Sequence, residues 1–217
     1  MFRDRTDAGR KLAFALASYK GQPVVVYALP RGGVVVGAEV ARFLEAPLDL
    51  IVVRKIGHPL QPEYAIGAVA EDGYVITNPD EAAAFDDSWL AGAVAAALTE
   101  AKRRRAVFLQ GSAPVPVKDK IAVVIDDGLA TGLTMLAAIH EIRKRLPARI
   151  VVAVPVAAHE IAARLRAEVN DLVVLCVPSG WFGAIGAMYE NFDQVGDEEV
   201  IATYASVQAC PPRPRLC

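Results

Sequence analysis

Apolar residues along the chain fall into two rhythms. Continuous runs rich in β-branched residues at 24–28, 48–53, 121–125, 150–154 and 172–177 have the pattern of strands covered on both faces. Between them, apolar positions recur with helical spacing near 34–44, 88–107, 133–146 and 159–169. An opening helix is predicted over about 7–19. Strand and helix therefore alternate, which predicts an α/β fold with a doubly wound, mainly parallel sheet. Two weaker strand patterns, 66–70 and 74–76, flank Asp72-Gly73 and predict an edge hairpin. Residues 114–120 read as a short polar loop and 208–217 as a loose tail; with no linker or repeat, one domain over 1–217 is expected.

Composition narrows the class. A chain of 217 residues that is 54% hydrophobic and 22% charged can bury a substantial core. A formal charge of -2 and a pI of about 5.9 give no general pull toward nucleic acid. Apolar runs are broken by charge or Pro before they could span a membrane, and residues 1–20 carry Asp and Arg throughout instead of a signal-peptide core. A cytoplasmic protein with no membrane partner is expected. Cys176, Cys210 and Cys217 have no metal-ligand spacing and read as incidental.

The most informative stretch is VVIDDGLATGLTM, residues 123–135. Asp126 and Asp127 fall where an apolar strand ends, the edge at which open α/β sheets bind ligands. Gly128, Leu129, Ala130, Thr131 and Gly132 then form a small-residue turn into a helix. Free N–H groups and the positive dipole end at such a helix start bind phosphate, and Thr131 and Thr134 add hydroxyl donors. The two carboxylates suit vicinal sugar hydroxyls beside that phosphate. The loop fits a ribose 5-phosphate. A second turn, Pro30, Arg31, Gly32 and Gly33, follows the first strand, where exposed N–H groups and a bidentate cation suit pyrophosphate.

The 123–135 stretch resembles the binding motif for phosphoribosyl pyrophosphate (PRPP) of the type I phosphoribosyltransferases: apolar strand, two acids, short turn, Thr-Gly, hydroxyl residue. In that resemblance the Arg31 turn occupies the position of the pyrophosphate loop, and its continuation to Gly37 looks like the Arg-Gly segment of adenine phosphoribosyltransferases. Residues 54–64 leave the second strand with Arg54 and Lys55 and run on through turn-forming residues, so a flexible lid is expected. Both cations are placed to neutralise pyrophosphate; for Arg54 a solvated strand end fits equally well. The adenine-type lid also has Arg-Lys followed by Glu-Tyr, which makes Glu63 the candidate for proton handling, although the lid here is shorter. His58 reads as base, donor or plain surface.

Ala130 stands where the hypoxanthine and guanine enzymes carry an Asp that serves the purine ring, so the motif is closer to the adenine and orotate types. Trp181 and Phe182, among glycines after the last strand, match a hood that stacks on the base; covering core or a subunit interface is the alternative. Tyr189 and Phe192 read as packing, Glu39 and Glu45 as helix surface, His140 and His159 as core or surface, and Lys102 to Arg105 as solvated cations ending a helix. The resemblance implies a magnesium-dependent enzyme that moves the ribose 5-phosphate of PRPP to a nitrogenous, purine-like base and releases pyrophosphate. Asp126 and Asp127 would orient sugar and metal, Lys55 and Glu63 would join them in catalysis, and the enzyme would be a homodimer. A non-catalytic PRPP sensor, or a hydrolase or phosphorylase of a phosphorylated ribose, is the alternative.

Overall fold

The structure, a computed structural model, describes residues 1–178 and 184–209, apart from the side chains of Pro62 and Glu63. Trp181 and Phe182 lie outside the described residues.

The chain opens with helix α1 (Arg5–Ala15) and continues through β1 (Val24–Ala28), α2 (Gly32–Leu44) and β2 (Leu48–Leu50). An antiparallel excursion follows: β3 (Val53–His58), β4 (Gln61–Ala70) and β5 (Val75–Thr77). After the short α3 (Pro79–Ala82) and the long α4 (Asp87–Leu109), the main layer resumes with β6 (Ile121–Ile125), α5 (Leu133–Lys144), β7 (Arg149–Val156), α6 (His159–Arg166), β8 (Asp171–Cys176) and α7 (Asp197–Gln208).

The central sheet has the order β2-β1-β6-β7-β8 with every neighbouring pair parallel, as the doubly wound expectation requires. Its strands are apolar on both faces because both faces are covered. Val24, Val26, Val123, Ile125 and Val151 pack with α1, α2, α4 and α7 on one side. Val25, Tyr27, Val124, Val152 and Val154 pack with α5 and α6 on the other. The side-chain alternation of a strand thus assigns each residue to one of two cores.

Three elements differ from the reading of the sequence. The apolar run 48–53 divides between two sheets: β2 ends at Leu50, and buried Ile51 and Val52 carry the chain across to β3. The 54–64 segment, expected as a lid of turning backbone, is a β-hairpin in which Lys55 faces Ala68 and Ile56 faces Gly67, with register irregularities around Gly57. Its pairing with β4 is what turns expected loop into strand. The edge hairpin of 66–70 with 74–76 is present as β4 and β5, paired Ala68 to Ile76. This small sheet packs through Ala68 and Ala70 onto Leu133 and Ala137 of α5. Finally, α7 buries a sparse stripe, Val200, Tyr204 and Val207, behind an acidic first turn that complements its dipole.

Candidate active site

β1 and β6 are adjacent and in register, Ala28 beside Ile125, so the loops that follow them emerge side by side. The Leu29 N–H donates to the Ile125 carbonyl at 2.9 Å, tying the two loops at their base. α2 starts at Gly32 directly after Arg31, and α5 at Leu133 directly after Gly132, whose φ of 72° suits glycine. Two helix N-termini and two acids therefore share one edge of the sheet. They line a cleft of about 780 Å³.

The 128–134 turn contributes donors unevenly. Leu129 is buried in the core, and its N–H donates to the Val156 carbonyl at 2.9 Å. By contrast, the N–H groups of Ala130, Thr131 and Gly132 meet no backbone acceptor among the described residues, and the Thr131 and Thr134 hydroxyls make no hydrogen bond there. All five of these residues line the cleft. Leu129 anchors the turn; its neighbours are the free donors.

The acids differ in environment. Asp126 Oδ1 accepts the Asp127 N–H at 2.8 Å. Enclosure at the strand end, and then the neighbouring Asp127 charge, push the Asp126 carboxyl well above the usual carboxylate range, against the pull of Lys55 and Arg5. Asp127 is ion-paired: Arg5 Nε donates to its Oδ2 at 2.7 Å. Arg5 also donates to the Asp193 carbonyl at 2.7 Å and lies 3.8 Å over the Phe192 ring. The Tyr189 hydroxyl donates to the Asp127 carbonyl at 2.6 Å. Tyr189 and Phe192, read from sequence as packing, thus pack around the Asp127 clamp.

Arg31, Pro30, Gly32, Arg54 and Lys55 line the same cleft, as do Tyr64 and Arg104. Arg31 has a distant ionic neighbour, Asp197 Oδ1 at 3.8 Å. Burial, then the charge of Arg104, lower the Arg54 pKa. Tyr64 donates to Glu81 Oε1 at 2.7 Å. His58 does not line the cleft; its Nδ1 accepts the Leu60 N–H at 3.1 Å and shapes the hairpin turn. The Glu63 side chain lies outside the description.

Sequence reasoning missed Arg5, Arg104, Ile185 and Gln194 as cleft residues. No local pattern points from Arg5 to Asp127, which is 122 positions away. The Lys102 to Arg105 run corrects differently. Arg105 is not a solvated cation: its Nη1 sits 3.0 Å from Glu71 Oε1 and donates to the Leu50 carbonyl at 3.0 Å. Helical rotation sends Arg104 to the cleft and Arg105 into that buried cluster.

A cleft at the carboxyl edge of a doubly wound parallel sheet, built from two adjacent strand-to-helix turns, places the protein among the α/β proteins that bind ligands at that edge. Within that class the chain belongs to the phosphoribosyl transferase domain family, which matches residues 4–193. Proteins from two strains of Mycobacterium tuberculosis, CDC 1551 and H37Rv, provisionally named phosphoribosyl transferases, are 44% identical over 209 residues. The alignment covers 93% of this chain and 46% of each relative, so the chain spans about half the length of these curated relatives. The solved structure of TT1426 from Thermus thermophilus is 42% identical with a TM-score of 0.77, covering 95% of this chain and 98% of that one. No helix among the described residues is long and apolar enough to cross a membrane.

Proposed function

We propose that the cleft binds PRPP and transfers its ribose 5-phosphate to a nitrogenous, purine-like base with release of pyrophosphate. The observation that carries this reading is the meeting of both anion-binding turns, 30–32 and 128–134, in one cleft with the Asp126–Asp127 pair between them. The free N–H groups and hydroxyls of the second turn take the 5-phosphate, and the acids accept hydrogen bonds from the ribose hydroxyls. Arg31, Arg54 and Lys55 take the pyrophosphate and stabilise it as it leaves. The ribosyl centre then has oxocarbenium character, the charge distribution also met in glycoside hydrolysis, and Asp126 and Asp127 would orient it for attack by the base nitrogen. Trp181 and Phe182 are assigned to stacking on the acceptor, and Glu63 to its proton.

Magnesium fits this donor set as a companion of the substrate. The described residues contain no cluster of three His, Cys, Asp or Glu able to hold a metal alone, whereas two adjacent carboxylates suit an ion that arrives on phosphate oxygens. Asp126 and Asp127 Oδ1, which has no hydrogen-bond partner among the described residues, would hold it, directly or through water. The ion would neutralise the charge of the departing pyrophosphate. A homodimer and a cytoplasmic location belong to the same proposal.

The test is incubation of the protein with PRPP, magnesium and a panel of nucleobases, following pyrophosphate and nucleotide. Pyrophosphate release that requires one base establishes transfer. Release without a base assigns hydrolysis instead, and tight PRPP binding without release assigns a sensor.

A further inference from the structure

We propose that Arg104 of α4 is a further pyrophosphate-binding residue of the cleft, held in position by Glu100. The inference rests on the proposed reading of the cleft and extends it to a helix that neither anion-binding turn contains.

Four basic residues in a row, Lys102 to Arg105, look like one solvated patch, yet the fold separates them. The Arg103 side chain is 54% exposed and Arg104 only 18%. Because α4 packs against β3, Arg104 is brought to the cleft wall that also carries Arg31, Arg54 and Lys55. Its Nε donates to Glu100 Oε1 at 2.8 Å, one helical turn back. Arg103 steadies the same carboxylate, with Nε to Oε2 at 2.7 Å and Nη2 to Oε1 at 3.0 Å. Neither Nη group of Arg104 has a hydrogen-bond partner among the described residues. An oriented guanidinium with its fork free is a suitable ligand for a phosphate group.

The charge balance of the wall points the same way. Four cations gather there, countered among the described residues by Glu100 beside Arg104, by Asp197 at 3.8 Å from Arg31, and by Asp126, whose charged form Lys55 favours. Arg54 has no ion pair among the described residues, and the charges of Arg104 and Arg31 both act against its own. Like charges brought together out of water disfavour the folded state unless an anion joins them. The 5-phosphate is accounted for by the 128–134 turn, so the anion needed here is a separate one of high charge. Pyrophosphate has that charge and two phosphoryl groups to distribute among the cations.

Calorimetric titration with inorganic pyrophosphate and, separately, with ribose 5-phosphate tests the assignment in the intact chain. Arg104→Met is expected to weaken pyrophosphate binding by about tenfold or more while leaving ribose 5-phosphate affinity within about twofold, which also reports an intact fold. Arg104→Lys, which keeps charge and stem but loses the fork, is expected to fall between. Lys102→Met, equal in charge change but exposed and outside the cleft lining, is expected to cost no more than about twofold. Wild-type pyrophosphate affinity in both Arg104 variants, or an equal loss in Lys102→Met, overturns the role of Arg104. A wild-type protein that binds neither ligand overturns the reading of the cleft itself.

Discussion

Arg5, in the first turn of the first helix, donates its Nε to Oδ2 of Asp127 at 2.7 Å, so the candidate site is closed from below by a residue near the start of the chain. Both side chains are mostly buried, at 12% and 17% exposure. Removing one partner of such a pair leaves the other charge poorly solvated. Arg5→Met is therefore expected to destabilise the fold by about 1–3 kcal/mol in urea unfolding. Adding Asp127→Asn should restore part of that loss, because the orphaned charge is gone. Additive single and double variants would show that the pair is not coupled. Turnover should fall in all three, since Asp127 is either displaced or uncharged.

Gly32 meets the same pair from the turn that follows β1. A Cβ built there would lie 1.9 Å from Asp127 Oδ2 and 2.7 Å from Arg5 Nε. The atoms it meets are side-chain ends, so the carboxylate would swing away and the backbone would hold. Gly32→Ala should keep the melting temperature within a few degrees while weakening ribose 5-phosphate binding by about tenfold. A binding isotherm matching wild type would show that the position of Asp127 does not matter to the sugar.

The stretch from Val123 to Met135 could be read as strand, acids, turn and helix because each part has its own local signature: β-branched burial, a helix start, a glycine at positive φ. The Arg31 turn was legible for the same reason. Arg5 and Arg104 were not, since each is an ordinary surface-type residue of an ordinary helix until tertiary packing turns it inward. The 54–64 segment misled because Gly57, Pro59 and Pro62 signal turning backbone, while the pairing of β3 with β4 keeps it extended around the irregular register at Gly57. Thus the backbone motifs could be found from local pattern, and the charges that complete the site depended on long-range contacts.

Asp126 carries an expected conflict between stability and function. Its folded pKa is raised above the unfolded 3.8, so its favourable contribution is full below that value and is lost as pH rises toward the folded pKa. As pH rises, ionising Asp126 sets a second carboxylate beside Asp127 in an enclosed position, which costs stability. Asp126→Asn should raise the melting temperature at about pH 7 and lose that advantage on acidification, while PRPP turnover is abolished. A variant less stable than wild type at neutral pH would mean that the ionised acid is well solvated or well paired.

A second pH effect comes from the opposite end of α5. Glu71, after β4, is packed against Glu141 with Arg105, Arg145 and Asp49 around it, and both Glu71 Oε2 and Glu141 Oε2 are buried without hydrogen-bond partners among the described residues. Burial, then the Glu141 charge, push Glu71 from 4.5 up to about 7, against the two arginines. With the folded pKa above the unfolded one, this residue's contribution is complete below about pH 4.5, declines as pH rises, and is lost above about pH 7. The full shift corresponds to an upper bound of about 3 kcal/mol. Glu71→Gln mimics the protonated form, so it should leave stability unchanged near pH 4.5 and raise it by about 1–3 kcal/mol at pH 8. Urea midpoints across that range give the answer, and a gain that is the same at both ends would show that Glu71 does not hold its proton in the folded protein.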